Sequence, residues 1–214
     1  SGLVGSEMCI RDRAICQALR LFPTNKATDA VSKTNHLAEN SSNIGDYKNY
    51  NAFPTCMLPI LLHENKKLII KNLIWGLVPK WAEGKNDFKP LNNARVESVD
   101  EKPTFRSIVK KYRCVVIADG YYEWKREDKS KVPYYFTKVD DELMFFAAIH
   151  QNNQFCIITR EASENVSQIH HREPLIINQS QINNYLNVKK DAMEVLNSIK
   201  PPRLKFYEVS KDVN

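Results

Sequence analysis

The chain has 214 residues, 43% of them hydrophobic and 26% charged; that is enough length and apolar content to bury a sizeable core, and too much to read as a disordered chain. Its net charge of +6 suits a polyanionic partner without requiring one. No apolar run approaches the roughly 20 residues that cross a bilayer and no basic-then-apolar leader opens the chain, so the expectation is no membrane association and an intracellular location, nuclear in a eukaryote or cytoplasmic and nucleoid in a bacterium.

The opening stretch "SGLVGSE" lacks periodicity and resembles an expression scar, an assembly artefact or an over-extended reading frame, so residues 1–8 are expected to be a non-native or removed leader and 9–214 a single domain. Apolar residues at Ile15, Ala18, Leu19 and Leu21 predict a short helix from Arg11 to Leu21. The polar stretch from Asn25 to Lys48 predicts a long surface loop. Past Tyr50 the pattern turns to strands: "MLPILLH" and "KLIIKNLIWGLV", separated by Glu64-Asn65-Lys66, predict a hairpin. Pro103 is expected to open a helix through Lys111, followed by a strand from Arg113. "YYFTKV" and "LMFFAAIH" on either side of Asp140-Asp141-Glu142 predict a second hairpin, "FCIIT" a further strand, and helices follow at Glu161 to Ile169, Gln181 to Leu186 and Ala192 to Ile199. Strands in the middle with helices at the ends and between do not make the regular alternation of a doubly wound sheet. The expected class is α+β, β-rich and largely antiparallel with peripheral helices.

Five cysteines, Cys9, Cys16, Cys56, Cys114 and Cys156, are odd in number and form no C-x-x-C pair, which predicts reduced thiols and neither a disulfide framework nor a metal site. No Gly-rich nucleotide loop occurs, and no cofactor is expected.

Four polar clusters stand beside apolar runs: "YNAFPT" at 50–55, "NNARVES" at 92–98, "DGYYEW" at 119–124 and "IHHREP" at 169–174. Glu123 is either an exposed edge carboxylate or, among Tyr122 and Trp124, a carboxyl whose apolar surroundings disfavour ionisation and fit it for proton transfer. His170 is either a loop histidine bonded to backbone or a titratable base beside Arg172. Asn93 and Arg95 either pair locally or present an amide and a guanidinium fork to phosphate. In "WGLVPKW", Trp75 and Trp81 are core residues or, given Pro79 and Lys80, mark a strand end at the surface where an indole stacks on an unpaired base.

In order and content these clusters resemble the SRAP family, the SOS response-associated peptidase-like proteins that shield abasic sites in single-stranded DNA. The resemblance runs through "YNAFPT", "WGLVPKW", "NARVESVDEKPTFR", "RCVVIADGYYEWK", "IITREA" and "IHHREP". It implies a β-rich α+β fold with a basic groove and a catalytic cysteine directly after the initiator methionine. The matching position is Cys9 after Met8, in "MCIR" where the family has Met-Cys-Gly-Arg, so that Ile10 replaces glycine. An N-terminal cysteine carries an amine and a thiol on adjacent carbons, and together these convert a sugar aldehyde into a thiazolidine.

By the same resemblance Asn93 positions the cysteine or the sugar, Glu123 acts as the acid/base that opens the sugar, and His170 assists Schiff-base chemistry and crosslink reversal. Arg11, Arg95 and Arg172 are implied phosphate clamps; Asn51, Pro54, Trp75 and Thr159 are implied groove contacts or strand-separating residues. Glu173 stands where the family has methionine, and its charge is expected either to raise the His170 pKa or to weaken phosphate contact. The implied activity is covalent capture of abasic sites in single-stranded DNA by a monomer, with associated lyase and autopeptidase activity. A thiol peptidase pairing Cys9 with His170 and a non-covalent single-strand binder are the competing readings.

Overall fold

The computed structural model describes residues 7–10, 49–65, 67–85, 87–127 and 130–213. The predicted helix from Arg11 to Leu21 and the long loop after it lie outside them.

The chain forms strands β1 (Glu7–Ile10), β2 (Asn49–Ala52), β3 (Met57–Glu64), β4 (Lys67–Trp75), β5 (Asn93–Arg95), β6 (Arg113–Ala118), β7 (Gly120–Glu127), β8 (Ser130–Lys138), β9 (Met144–Gln151), β10 (Gln154–Glu161), β11 (Arg172–Pro174) and β12 (Leu204–Glu208). Between and after them lie short helices α1 (Arg106–Lys111), α2 (Glu164–Ser167), α3 (Ile182–Leu186) and α4 (Ala192–Asn197). A 7-stranded sheet runs β11-β10-β4-β3-β6-β9, with β5 against β10; β9 also pairs with β10, so this sheet closes on itself. A 5-stranded sheet runs β12-β8-β7-β1-β2. Pairing is antiparallel except where β10 meets β4 and β5, the expected largely antiparallel α+β arrangement.

Hydrophobic patterning explains the strands. β6 is buried along its whole length and sits between β3 and β9, as a continuous apolar run demands. β3 and β4 form the predicted hairpin, in register from Met57↔Ile74 to Glu64↔Lys67. The second predicted hairpin is not one. β8 lies between β7 and β12 in the 5-stranded sheet, whereas β9 lies between β6 and β10 in the other. Asp140 to Glu142 therefore carries the chain from one sheet to the other. The true partner of β9 is β10, joined by Asn152 and Asn153 at φ 49° and 59°, the left-handed pair that a tight hairpin turn requires and that asparagine tolerates. β12 is absent from the sequence reading; it adds to the edge of β8 from Leu204↔Lys138 to Glu208↔Tyr134.

The two sheets share a core at "ADGYYEW". After β6 a single residue, Asp119, passes the chain to β7 in the other sheet. Gly120 permits this close approach, because a Cβ there would stand 2.4 Å from the Phe136 carbonyl oxygen. Tyr121 then stacks on Phe136 with ring centroids 4.9 Å apart and meets the edge of Phe146, in the other sheet, at 6.0 Å. Side chains alternate along β7. Tyr122 faces away and packs with Tyr135, Trp124, Val209 and Val213, while Glu123 shares the inward face with Tyr121.

Two helices begin later than predicted. α1 starts at Arg106, three residues past Pro103, and α2 spans only Glu164–Ser167. Arg113, buried at the start of β6, donates to the carbonyls of Val109, Tyr185 and Lys190. One guanidinium bonded this way ties α1, α3 and the segment after α3 to the sheet.

Candidate active site

Alternation along β7 places Glu123 inside, and the structure leaves it 3% exposed. The exposed-edge reading of this carboxylate is therefore set aside. His170 arrives from the opposite side, from the turn between α2 and β11, where its backbone N–H donates to the Val166 carbonyl. Its Nδ1 lies 3.9 Å from Glu123 Oε1. The same Nδ1 is 3.1 Å from the Arg172 carbonyl and 3.2 Å from the Arg172 N–H. One tautomer donates to the carbonyl and leaves Nε2 basic; the other accepts from the amide.

Burial holds the His170 pKa below the ordinary imidazole value, the backbone bond to Arg172 opposes this, and electrostatic repulsion from His171, Arg126 and Arg172 lowers it further. The ring is neutral near pH 7, so the contact with Glu123 becomes an ion pair only on protonation. The expected effect of Glu173 on this histidine is corrected. Strand alternation turns Glu173 away from Arg172, and its carboxylate accepts from Ser163 and faces Arg160.

Glu123 and His170 border an open cleft of about 350 Å³ that is also lined by Trp124, Lys125, Arg126, Lys131 and His171. A carboxylate and an imidazole side by side next to three cations suit an anionic substrate that reacts by acid/base steps. Among the described residues, no group of three His, Cys, Asp or Glu side chains converges on a metal-sized site.

β5, β10 and β11 run side by side next to this cleft. Ala94 packs into the core while Arg95 points outward, exposed, and Asn93 is partly exposed. Arg172, 9% exposed, closes its fork on Glu97 at 2.8 and 2.9 Å and also donates to the Thr159 carbonyl. Burial alone would raise the Glu97 pKa, but the bonds from Arg172 and from the Glu161 N–H bring it below the usual carboxylate value. The implied phosphate clamp at Arg172 is thus closed on a carboxylate. Thr159, expected in the groove, is 2% exposed and lies beneath Arg172.

Along the other edge of β7, the backbone of β1 aligns Cys9 with Gly120 and Glu7 with Tyr122. Cys9 is therefore three residues along the strand from Glu123, about 10 Å at the rise of a β-strand. β2 pairs with the far side of β1. Asn51 and Pro54 are partly exposed there. Thr55, next in the chain, is held at φ 82° by its N–H bond to the Trp75 carbonyl, a strained conformation for a β-branched residue of the kind that gathers at functional sites. Arg11 lies outside the described residues.

A family model described as SOS response associated peptidase (SRAP) matches residues 8–214. The chain belongs to the SRAP family. This SRAP chain is 32% identical over 185 residues to the abasic site processing protein YoaM of Bacillus subtilis, covering 79% of this chain and 82% of the relative. It is 29% identical over 157 residues to the abasic site processing protein YedK of Escherichia coli, covering 68% and 69%. A solved structure of a protein from Bacteroides thetaiotaomicron superposes with a TM-score of 0.74 at 25% identity, covering 96% of this chain and 92% of that one.

Against its SRAP motifs, one assignment is corrected outright. Trp75 is 0% exposed, stacked on Phe155 with its Nε1–H donated to the Asn92 carbonyl, so it cannot stack on a base. The indole at the surface is Trp81, 58% exposed, edge-on to Phe88 and with Lys85 Nζ 5.3 Å from its ring centre. The signal for it was Pro79, which ends the extended run and starts the short turn Lys80–Ala82 that swings Trp81 outward. Sequence reasoning assigned no role to Glu97, which holds Arg172, or to Lys125, Arg126 and Lys131 beside the cleft.

Proposed function

We propose that this chain acts on abasic sites in single-stranded DNA and captures them covalently through Cys9. The observation that carries the reading is buried Glu123 beside partly exposed His170 at the rim of a cation-lined cleft, in a member of a family whose relatives are named abasic site processing proteins. An abasic deoxyribose exists partly as a ring-opened aldehyde. Glu123 protonates the ring oxygen and accepts the hemiacetal proton, which opens the ring without net change. The Cys9 amine adds to the carbonyl and water leaves, giving an imine; the Cys9 thiol then adds across the C=N bond, its proton passing to nitrogen, and a five-membered thiazolidine results. No electrons are gained or lost. Because amine and thiol sit on adjacent carbons, closure is effectively unimolecular.

The aminothiol exists only when Cys9 is the first residue of the chain, and an autopeptidase step that frees it belongs to the same reading. Neutral His170 takes up and returns the proton in imine formation and reversal. Loss of the 3′ phosphate by β-elimination from the imine is the lyase branch. Asn93 orients the reacting groups, Arg95 and Arg11 contact phosphates, and Asn51 and Pro54 line the strand's path.

The test uses protein that begins at Cys9 and an oligonucleotide with one abasic site, followed by a denaturing gel. A heat-stable shifted band that disappears with Cys9→Ala is expected. Salt-sensitive binding without an adduct would replace this reading with non-covalent recognition. Cleavage of a protein substrate in trans, with no adduct, would replace it with a peptidase.

A further inference from the structure

Glu173 is a carboxylate 2% exposed on β11, and burying one is costly unless it is well bonded. Its Oε2 accepts from the Ser163 hydroxyl at 2.8 Å and from the Ser163 N–H at 3.2 Å, and its Oε1 lies 3.7 Å from Arg160 Nε. Arg160 in turn donates to the Ile199 carbonyl. Ser163 stands at the N-cap of α2, where a serine hydroxyl ordinarily accepts from the first-turn amides. Here no side chain caps α2; the Ser163 side chain is turned to Glu173, to which it donates.

A helix of four residues has no stability of its own, so α2 is held by what grips its ends. Ser163 is fixed by Glu173. At the other end the Ile169 and His170 amides both donate to Val166, and the Ala162 N–H donates to the His171 carbonyl and closes the base of the loop. His170 is thereby connected to Glu173 through one short, cross-tied segment, although the two side chains do not touch.

We propose that Glu173 is a positioning residue for His170: through Ser163 it anchors α2, and α2 sets the imidazole beside Glu123. This rests on the reading of His170 as part of the site. The variants Ser163→Ala, Ser163→Thr and Glu173→Gln are compared without DNA, by NMR titration of His170 and by amide hydrogen exchange. The groups facing the ring, Glu123, His171, Arg126 and Arg172, are the same in each.

In Ser163→Ala the amides of Ile169 and His170 are expected to exchange about tenfold faster while those of Cys156 and Ile158 in β10 keep their rates, since the loop opens without the sheet. The His170 pKa rises toward its ordinary value as water reaches the ring. Ser163→Thr keeps the hydroxyl and restores both readouts, and Ser163→Ala carries the test if Glu173→Gln does not fold. Unchanged exchange and titration in Ser163→Ala and Glu173→Gln, with only the melting temperature lowered, would reduce Glu173 to a counter-charge for Arg160 and overturn the proposal. Adduct formation enters none of these readouts, so covalent capture stands or falls separately.

Discussion

His170 Nδ1 and Glu123 Oε1 lie 3.9 Å apart although they come from different structural units, one from the turn after α2 and the other from the inward face of β7. Glu123→Gln keeps the shape and removes the titratable carboxyl. Adduct formation should slow by about 10²- to 10⁴-fold, the range for a positioned acid or base, with DNA affinity retained. His170→Ala should lose a similar factor. If the two pass protons as a unit, the double variant is little slower than the slower single one, measured by time courses on denaturing gels. Losses that multiply would mean the pair acts independently.

The inward course of Glu123 was only half legible: the sequence left the carboxylate either at an exposed edge or among aromatics, and it is the alternation along β7, a strand the apolar run of β6 did not announce, that turns it inward. Its partner was legible only as a motif: nothing in "IHHREP" says which side chain turns inward. The assignment of β8 and β9 failed for a physical reason. A short polar stretch such as Asp140-Asp141-Glu142 closes a hairpin and crosses between packed sheets equally well, and local pattern does not tell the two apart. Trp75 was misplaced because a tryptophan before Gly-Leu-Val-Pro looks the same whether the strand ends at the surface or beneath the β2–β3 connection, which here donates the Thr55 amide to the Trp75 carbonyl.

Trp75 and Trp81 should separate cleanly. Trp75→Ala removes a fully buried indole stacked on Phe155, and a loss of about 3–5 kcal/mol in folding stability is expected. Trp81→Ala should leave stability within about 0.5 kcal/mol. If Trp81 stacks on a base it weakens single-strand binding by about 1–3 kcal/mol. Urea unfolding and fluorescence anisotropy check the pair, and full-affinity binding by Trp81→Ala would remove this side chain from the DNA path.

Arg172 offers a sharper choice, since its fork is held by Glu97 at 2.8 and 2.9 Å. Glu97→Gln breaks a charge-assisted pair whose acid is half-exposed, and a stability loss of about 1–2 kcal/mol is expected, less than for a fully buried pair. Released from Glu97, Arg172 becomes available to phosphate. The slope of log affinity against log salt should then steepen by about 0.7, the increment for one phosphate on a single strand. An unchanged slope with the same stability loss would make Arg172 a strut between β10, β11 and Glu97 rather than a clamp.

His150 gives the fold an acid limit apart from the site. Burial is the main cause that brings its pKa to about 4, helped by Lys71 and opposed by Glu64. The folded protein therefore keeps this ring neutral at a pH where the unfolded chain, near 6.5, has already bound a proton. The unfolded state holds more protons throughout that interval, so stability falls as pH drops from about 6.5 to about 4, by up to roughly 3 kcal/mol. Above the unfolded value both states are neutral and the contribution is complete. His150→Phe keeps an aromatic ring beside Tyr112, which now meets the imidazole at 5.8 Å, and removes the proton. Urea midpoints for the two proteins should diverge steadily below pH 6.5, with the variant losing less. Parallel curves down to pH 4 would mean that His150 takes up its proton in the folded state at its ordinary pKa, and that the acid sensitivity of the fold lies elsewhere.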